Sequence, residues 1–292
     1  MRFPSGQFDQ RMSPRLSVIM NSLLFVLGVI VLAMALRSFS NPVVRKAGAV
    51  AILVASYLVG YFLTGSHVAG ISGVLMWFLL PWIELLTRIR KLRLPRRKSL
   101  SHQTPPNSRR FPHLGEFTDE VEAEGYEHVE DTGWEWDELQ QFFRIFYHAG
   151  DKTQAAICLN EQQGLAFVFV SLTSRTADGK TYRTWNFPFS YTLKMSPDIQ
   201  VNRVPNASSF VELQAEHRDF LQRVGVSTEA LIAEDPEALP AQMEMETQVQ
   251  ISHNIDRGLI EPASEDPEKV RYSWRGLFFL YGQLVKDMVK LS

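Results

Sequence analysis

Three groups of residues carry side chains that could do chemistry in this chain of 292 residues: the triplet Glu216-His217-Arg218, the run Glu127-His128-Glu130-Asp131, and the single thiol of Cys158. An imidazole beside a carboxylate is the simplest general-base arrangement, so Glu216, His217 and Arg218 are the candidates for an enzyme site. His217, however, shares a helical stripe with Phe210, Leu213, Phe220, Leu221 and Val224, and no second histidine or acid lies on that stripe. The spacing therefore favours a hydrogen-bonded core imidazole. The carboxylates around His128 could hold a cation, but their turn-like acidic neighbours point to a solvated loop. Cys158 sits in a strand-like run with no basic neighbour, the setting of a packed thiol rather than a nucleophile. A lone cysteine also excludes a disulfide or a thiolate cluster within one chain.

The sequence lacks a phosphate-cradling GxxxxGK[ST], a GxGxxG after a strand, a GxSxG elbow, an HExxH and the kinase motif set. No cofactor and no metal is expected on these grounds.

The elements that must position these residues read as an α+β domain with an antiparallel sheet of three to four strands. Thr132 and Glu135 have capping-box spacing, and Trp136, Leu139, Phe143 and Phe146 recur at three and four residues, which predicts a helix ending near Gly150. Residues 153–160, 165–174 and 181–193 read as a meander, with an Asp178-Gly179 hairpin turn and a possible fourth strand at 199–204. Trp185, Phe187, Phe189 and Tyr191 alternate in the last long strand, and Pro188 pushes it to an edge or bulge. An exposed patch near Trp185 and Phe189 would suit a protein partner. Ser209 with Glu212 opens a helix that Gly225 stops, and residues 240–257 form another ending at Gly258.

Leu259-Ile260 and Val270–Tyr272 then pair as a short hairpin, and Ser273 opens a last helix with Leu277, Leu280, Tyr281, Leu284, Met288 and Leu291 inward. Through Gly258-Leu259-Ile260 and Tyr272-Ser273-Trp274-Arg275-Gly276 this ending resembles part of a winged-helix domain, over about forty residues. The resemblance implies a local helix–hairpin–helix. Winged-helix proteins often bind DNA, but the preceding helix here is acidic and lacks a basic recognition face.

The first ninety residues are of another kind. Residues 16–36, 47–64 and 68–83 are free of charge, and the first is long enough to cross a bilayer outright. Trp77, Trp82, Tyr57 and Tyr61 would help to set the other two at the interfaces. A cleaved signal peptide ending at Ala33-Met34-Ala35 is the rival reading of the first segment, but its apolar run exceeds the usual ~7–15 residues. The expected organisation is an N-terminal tail (1–15), a three-helix transmembrane region (16–87), a basic juxtamembrane linker (88–110) with few tertiary contacts, and a cytoplasmic α+β domain (111–292).

Charge supports that division. Residues 1–110 hold fifteen Lys and Arg against two acids, and residues 111–292 hold fifteen against thirty. An acidic soluble domain argues against nucleic acid as a partner. With the N-terminus outside, ten basic residues flank the membrane on the inside and three on the outside, so the positive-inside bias puts the α+β domain in the cytoplasm at the plasma (inner) membrane. Spans without ionisable groups before Glu84 argue against a transporter or channel. Arg88, Arg90, Lys91, Arg93, Arg96, Arg97 and Lys98 could touch anionic lipid headgroups. Ala47, Ala51, Ala55, Gly70 and Gly73 offer small surfaces for packing helices within the chain or between copies of it. The composite expectation is a membrane-anchored interaction or regulatory domain with a protein partner or a second copy. The alternatives are a membrane-bound enzyme with an unrecognised site and an accessory subunit of a membrane complex.

Overall fold

The structure is a computed structural model that describes residues 14–39, 41–136, 139–162 and 165–291. It divides into two compact units, Met1–Ile89 with Leu280–Ser292, and Arg90–Phe279.

The first unit is built on α1 (Pro14–Arg37), α2 (Pro42–Thr64) and α3 (His67–Thr87). All three are long and apolar enough to cross a membrane, and in each only 11% of the apolar window is buried within the protein. Asn41 caps α2 by accepting from Val43 N at 2.9 Å, Gly65 ends it in the left-handed region at φ 69°, and Ser66 caps α3. Small residues let α2 and α3 touch backbone to backbone: a Cβ on Gly60 would strike the Ala69 carbonyl, and one on Gly73 would lie 2.6 Å from the Ser56 carbonyl oxygen. Ala55 is buried in this packing, but Ala47 is exposed. Glu84 ends up within α3, paired with Arg88 at 3.1 Å. The tail of the chain belongs here too, where Tyr281 Oη donates to the Phe78 carbonyl at 3.1 Å and its ring stacks on Trp82.

The second unit contains a seven-stranded sheet, not one of three or four strands. Its strands are, in spatial order, β2 (Ser101–His102), β3 (Glu127–Trp136), β4 (Leu139–His148), β5 (Thr153–Gln162), β6 (Leu165–Arg175), β7 (Thr181–Trp185) and β8 (Ile199–Arg203). The expected helix over 132–150 is instead the pair β3 and β4, with Thr132 opposite Phe143 and Gly133 opposite Phe142. The helical reading fails because β4 is apolar on both faces. Phe142 and Phe146 point one way, Phe143, Ile145 and Tyr147 the other, and such a run contains three- and four-residue spacings by accident.

The meander is antiparallel through β7, and Gly179 at φ 81° makes the Asp-Gly turn. The ladder ends at Trp185, so Phe187, Phe189 and Tyr191 do not extend the strand; the chain crosses over and returns as β8, parallel to β7.

One sheet face is covered by α4 (Leu114–Ala123) and α5 (Phe210–Arg223), which bring Val121, Phe210 and Leu213 against Phe142, Phe146, Ile157 and Leu172. The other receives α6 (Leu239–Asp256), whose Leu239 and Met243 pack on Ile145 and Tyr147, and an aromatic group around Phe169, Trp185 and Phe187. A small sheet places β1 (Leu94–Pro95) beside β10 (Lys269–Tyr272) and β10 beside β9 (Ile260–Pro262), so the expected hairpin forms. The last helix, α7 (Trp274–Leu291), buries Leu277 and Leu280, whereas Leu284 and Met288, expected inward, are exposed.

Residues 88–110 are not a passive linker, because they supply β1 to the small sheet and β2 to the large one. Gly133 makes room for this: a Cβ there would collide with the Gln103 side chain and the Gln141 carbonyl.

Candidate functional site

His217 projects from α5 onto the sheet and is 2% exposed. Ser209 Oγ accepts from Glu212 N at 3.2 Å and Gly225 ends the helix at φ 75°, so the capping read from sequence fixes the register that turns His217 inward. Its Nε2 lies 3.0 Å from Ser174 Oγ and its Nδ1 2.9 Å from Thr184 Oγ1. Ser174 Oγ also meets Thr153 Oγ1 at 2.8 Å. Both ring nitrogens are thus taken by hydroxyls, one donating and one accepting, which satisfies a neutral imidazole. Burial pushes its pKa down to about 4, with Asp151 opposing and Arg218 adding to the shift.

Beside it opens a cavity of about 400 Å³ lined by Tyr126, Asp151, Gln214, Arg218 and Ser227 among others. Arg218 pairs with Asp151 at 3.1 Å at its mouth, and Gln214 lies buried beside Tyr126. The Glu216 backbone carbonyl accepts from Asn202 Nδ2 at 3.4 Å.

Trp185 and Phe189 lie on the opposite face of the sheet from His217, so the candidate residues form two places and not one patch. Trp185 packs edge-on to Phe169, and Phe187 and Phe189 continue the cluster to Phe167. Arg203 holds the 187–189 backbone by donating to the carbonyls of Phe187 (3.4 Å), Pro188 (3.1 Å) and Phe189. Asn254 secures the far side, exchanging hydrogen bonds with Lys194 N and O at 2.9 and 2.8 Å. Phe189 remains 40% exposed on this fixed segment.

Two features were not legible beforehand. Arg175 Nε donates to Glu246 Oε1 at 2.6 Å and its Nη1 to Glu234 Oε2 at 2.7 Å, while Arg183 bonds the other oxygen of Glu246. Burial pushes the Glu246 carboxyl up, but the two guanidiniums outweigh it and hold the pKa below its ordinary value. For Glu234, which has Arg175 alone, burial prevails and the pKa is raised. This cluster fastens α6 to β6 and β7. One arginine in each of two neighbouring strands, at the end of β6 and the middle of β7, was the available signal.

The second is Asp131. Its segment is strand and not solvated loop, and Arg144 donates to both its oxygens at 2.8 and 2.7 Å, with His128 at 3.1 Å. Burial again raises the carboxyl, and these hydrogen bonds together bring it below the usual range. Among the described residues no group of three His, Cys, Asp or Glu could hold a metal ion. Cys158 is buried, and burial pushes its thiol up to about 12, which leaves it protonated.

The seven basic residues after α3 scatter. Arg88 pairs with Glu84, Arg93 with Glu265 at 3.1 Å, Arg90 stacks 4.2 Å over the Trp274 ring, and Lys98 sits 3.9 Å over Trp134. Lys91, Arg96 and Arg97 are exposed.

The architecture is that of a protein with three candidate membrane spans and an α+β unit. Compared with protein-family models, curated proteins and solved structures, the chain matches none.

Proposed function

We propose that the chain is a membrane-anchored interaction or regulatory protein, held at the plasma (inner) membrane with its N-terminus outside and its α+β unit in the cytoplasm. The observation that carries the binding role is the aromatic segment around Phe189. An exposed apolar side chain on an irregular segment costs solvation, and the Arg203 and Asn254 hydrogen bonds hold the segment in one shape when free. Preorganised aromatic surface of this kind suits a protein partner or a second copy of the chain. The orientation is supported by the ten-to-three division of flanking basic residues. Lipid contact is supported by the three exposed cations Lys91, Arg96 and Arg97.

A photo-reactive amino acid at position 189 in native membranes tests the reading, with one at Val211, an exposed position on α5, as the control. A discrete adduct from 189 alone is expected. Equal or absent labelling from both would refute the binding role. Orientation is tested by Asn206-Ala207-Ser208, because Asn206 is exposed and a glycan can be added there only on the external side. In a glycosylating host Asn206 should stay bare.

The enzyme reading keeps one observation in its favour, the polar cavity beside His217. His217 bonds hydroxyls as a general base would, but Ser174 is fully buried and does not line the cavity, so the pair presents no nucleophile there. The accessory-subunit reading makes the same prediction at position 189, with the adduct being another membrane protein.

A further inference from the structure

Lys98 is held in a way its basic neighbours are not. Its segment is fixed at both ends: Arg96 N donates to the Glu268 carbonyl at 2.8 Å beside the small sheet, and the Ser101 carbonyl accepts from Thr132 Oγ1 at 2.9 Å on the large one. Between them, Leu100 N donates to Glu244. Lys98 is thereby laid across Trp134, its Nζ 3.9 Å from the ring centroid. The ring is itself 5% exposed and cannot turn away, because its Nε1 donates to Gln141, whose Nε2 donates to Asn160 at 2.7 Å.

Among the described residues no carboxylate lies within ion-pair distance of Lys98, and burial, the one influence on it, lowers its pKa to about 8. An ammonium drawn out of water without a counter-ion is costly, and the face of an indole replaces only part of its hydration. Among the described residues its three N–H groups have no acceptor oxygen within hydrogen-bond distance.

Beside Lys98 opens a cavity of about 500 Å³, lined also by Arg97, Ser99, Ser101, Gln103 and Trp136. Among the described residues an ammonium, a guanidinium, two hydroxyls and an amide line it, against one acid, Glu135. A carboxylate would be served by a single arginine fork, whereas several donors of different reach suit the oxygens of a tetrahedral anion. We infer that this cavity binds a phosphate ester, with Lys98 as its counter-ion and Arg97, Ser99 and Ser101 as further donors. A phospholipid headgroup and a soluble phosphate ester share that chemistry. The inference deepens the reading of this unit as a binding module but does not use Phe189, so the two fail separately.

The full chain in a neutral detergent is titrated with inorganic phosphate and with glycerol 3-phosphate, followed by tryptophan emission, since Trp134 and Trp136 flank the cavity. A saturable change is expected, weakened roughly tenfold or more by Lys98→Gln and nearly unaffected by Lys180→Gln, which removes the same charge from an exposed site. Phosphate should also shield Lys98, and not Lys180, from reductive methylation read by mass spectrometry. This measurement needs no variant to fold. To separate the sources, the chain is placed in phosphatidylcholine nanodiscs with or without phosphatidylglycerol. A headgroup ligand abolishes the glycerol 3-phosphate response in the anionic discs alone, and a soluble ligand leaves it equal in both. The inference is overturned if the unaltered chain shows no saturable response and no shielding with any probe. Equal weakening by the two substitutions would overturn it as well, as it would mean diffuse surface charge.

Discussion

Acidification should unfold the α5 contact with the sheet through one residue. His217 has a pKa of about 4 in the folded chain against an ordinary value of 6.5. Between those values the unfolded chain takes up a proton that the folded chain refuses, so the unfolded state binds more protons and stability rises with pH. The contribution is complete above pH 6.5 and declines as pH falls towards 4. At about 1.4 kcal/mol per pH unit the loss is about 3 kcal/mol. The quantity to measure is the difference between the unaltered chain and His217→Gln. Near neutral pH the variant should be less stable by about 1–3 kcal/mol, because Ser174 and Thr184 lose a buried partner. Towards pH 4 that gap should close or reverse. Hydrogen exchange on the full chain in detergent, read on peptides from α5, β6 and β7 and corrected for intrinsic rates, gives both numbers. A gap that does not change with pH would refute the buried neutral imidazole. A fully stable variant that has lost a binding or catalytic activity would refute its structural role.

Removing the shared acid of the buried cluster should be more damaging than removing any surface charge: Glu246→Ala leaves Arg175 and Arg183 facing each other without it, at a cost of about 3–5 kcal/mol seen as a lower unfolding temperature. Exposed Lys180→Ala, which breaks the pair with Asp178, should change that temperature little. A fragment beginning at residue 111 should unfold at a lower temperature than one beginning at 90, because it lacks β2 on the edge of β3 and the Leu100–Glu244 bond. Equal unfolding temperatures would mean that residues 90–110 contribute nothing to the fold.

Some of this was decided by the sequence alone. The three charge-free runs, the Asp-Gly turn, the Ser209 cap with its Gly225 stop, and the helix closed by Gly258 are local features, set by composition and by backbone conformations that few residues accept. The inward face of His217 followed from the period of one helix. The tertiary structure decided whatever depends on residues far apart in the chain. Local period could not tell β3 and β4 from a helix, since a strand buried on both sides has no polar face to mark its alternation. Nor could it show that residues 94–102 join two sheets, that Arg175 and Arg183 share Glu246 from α6, or that Arg90 and Lys98 each lie across an indole. Hydrogen bonds of strand edges and the pairing of buried charges are satisfied by whichever partner the fold brings within about 3 Å, and sequence distance places no limit on which partner that is.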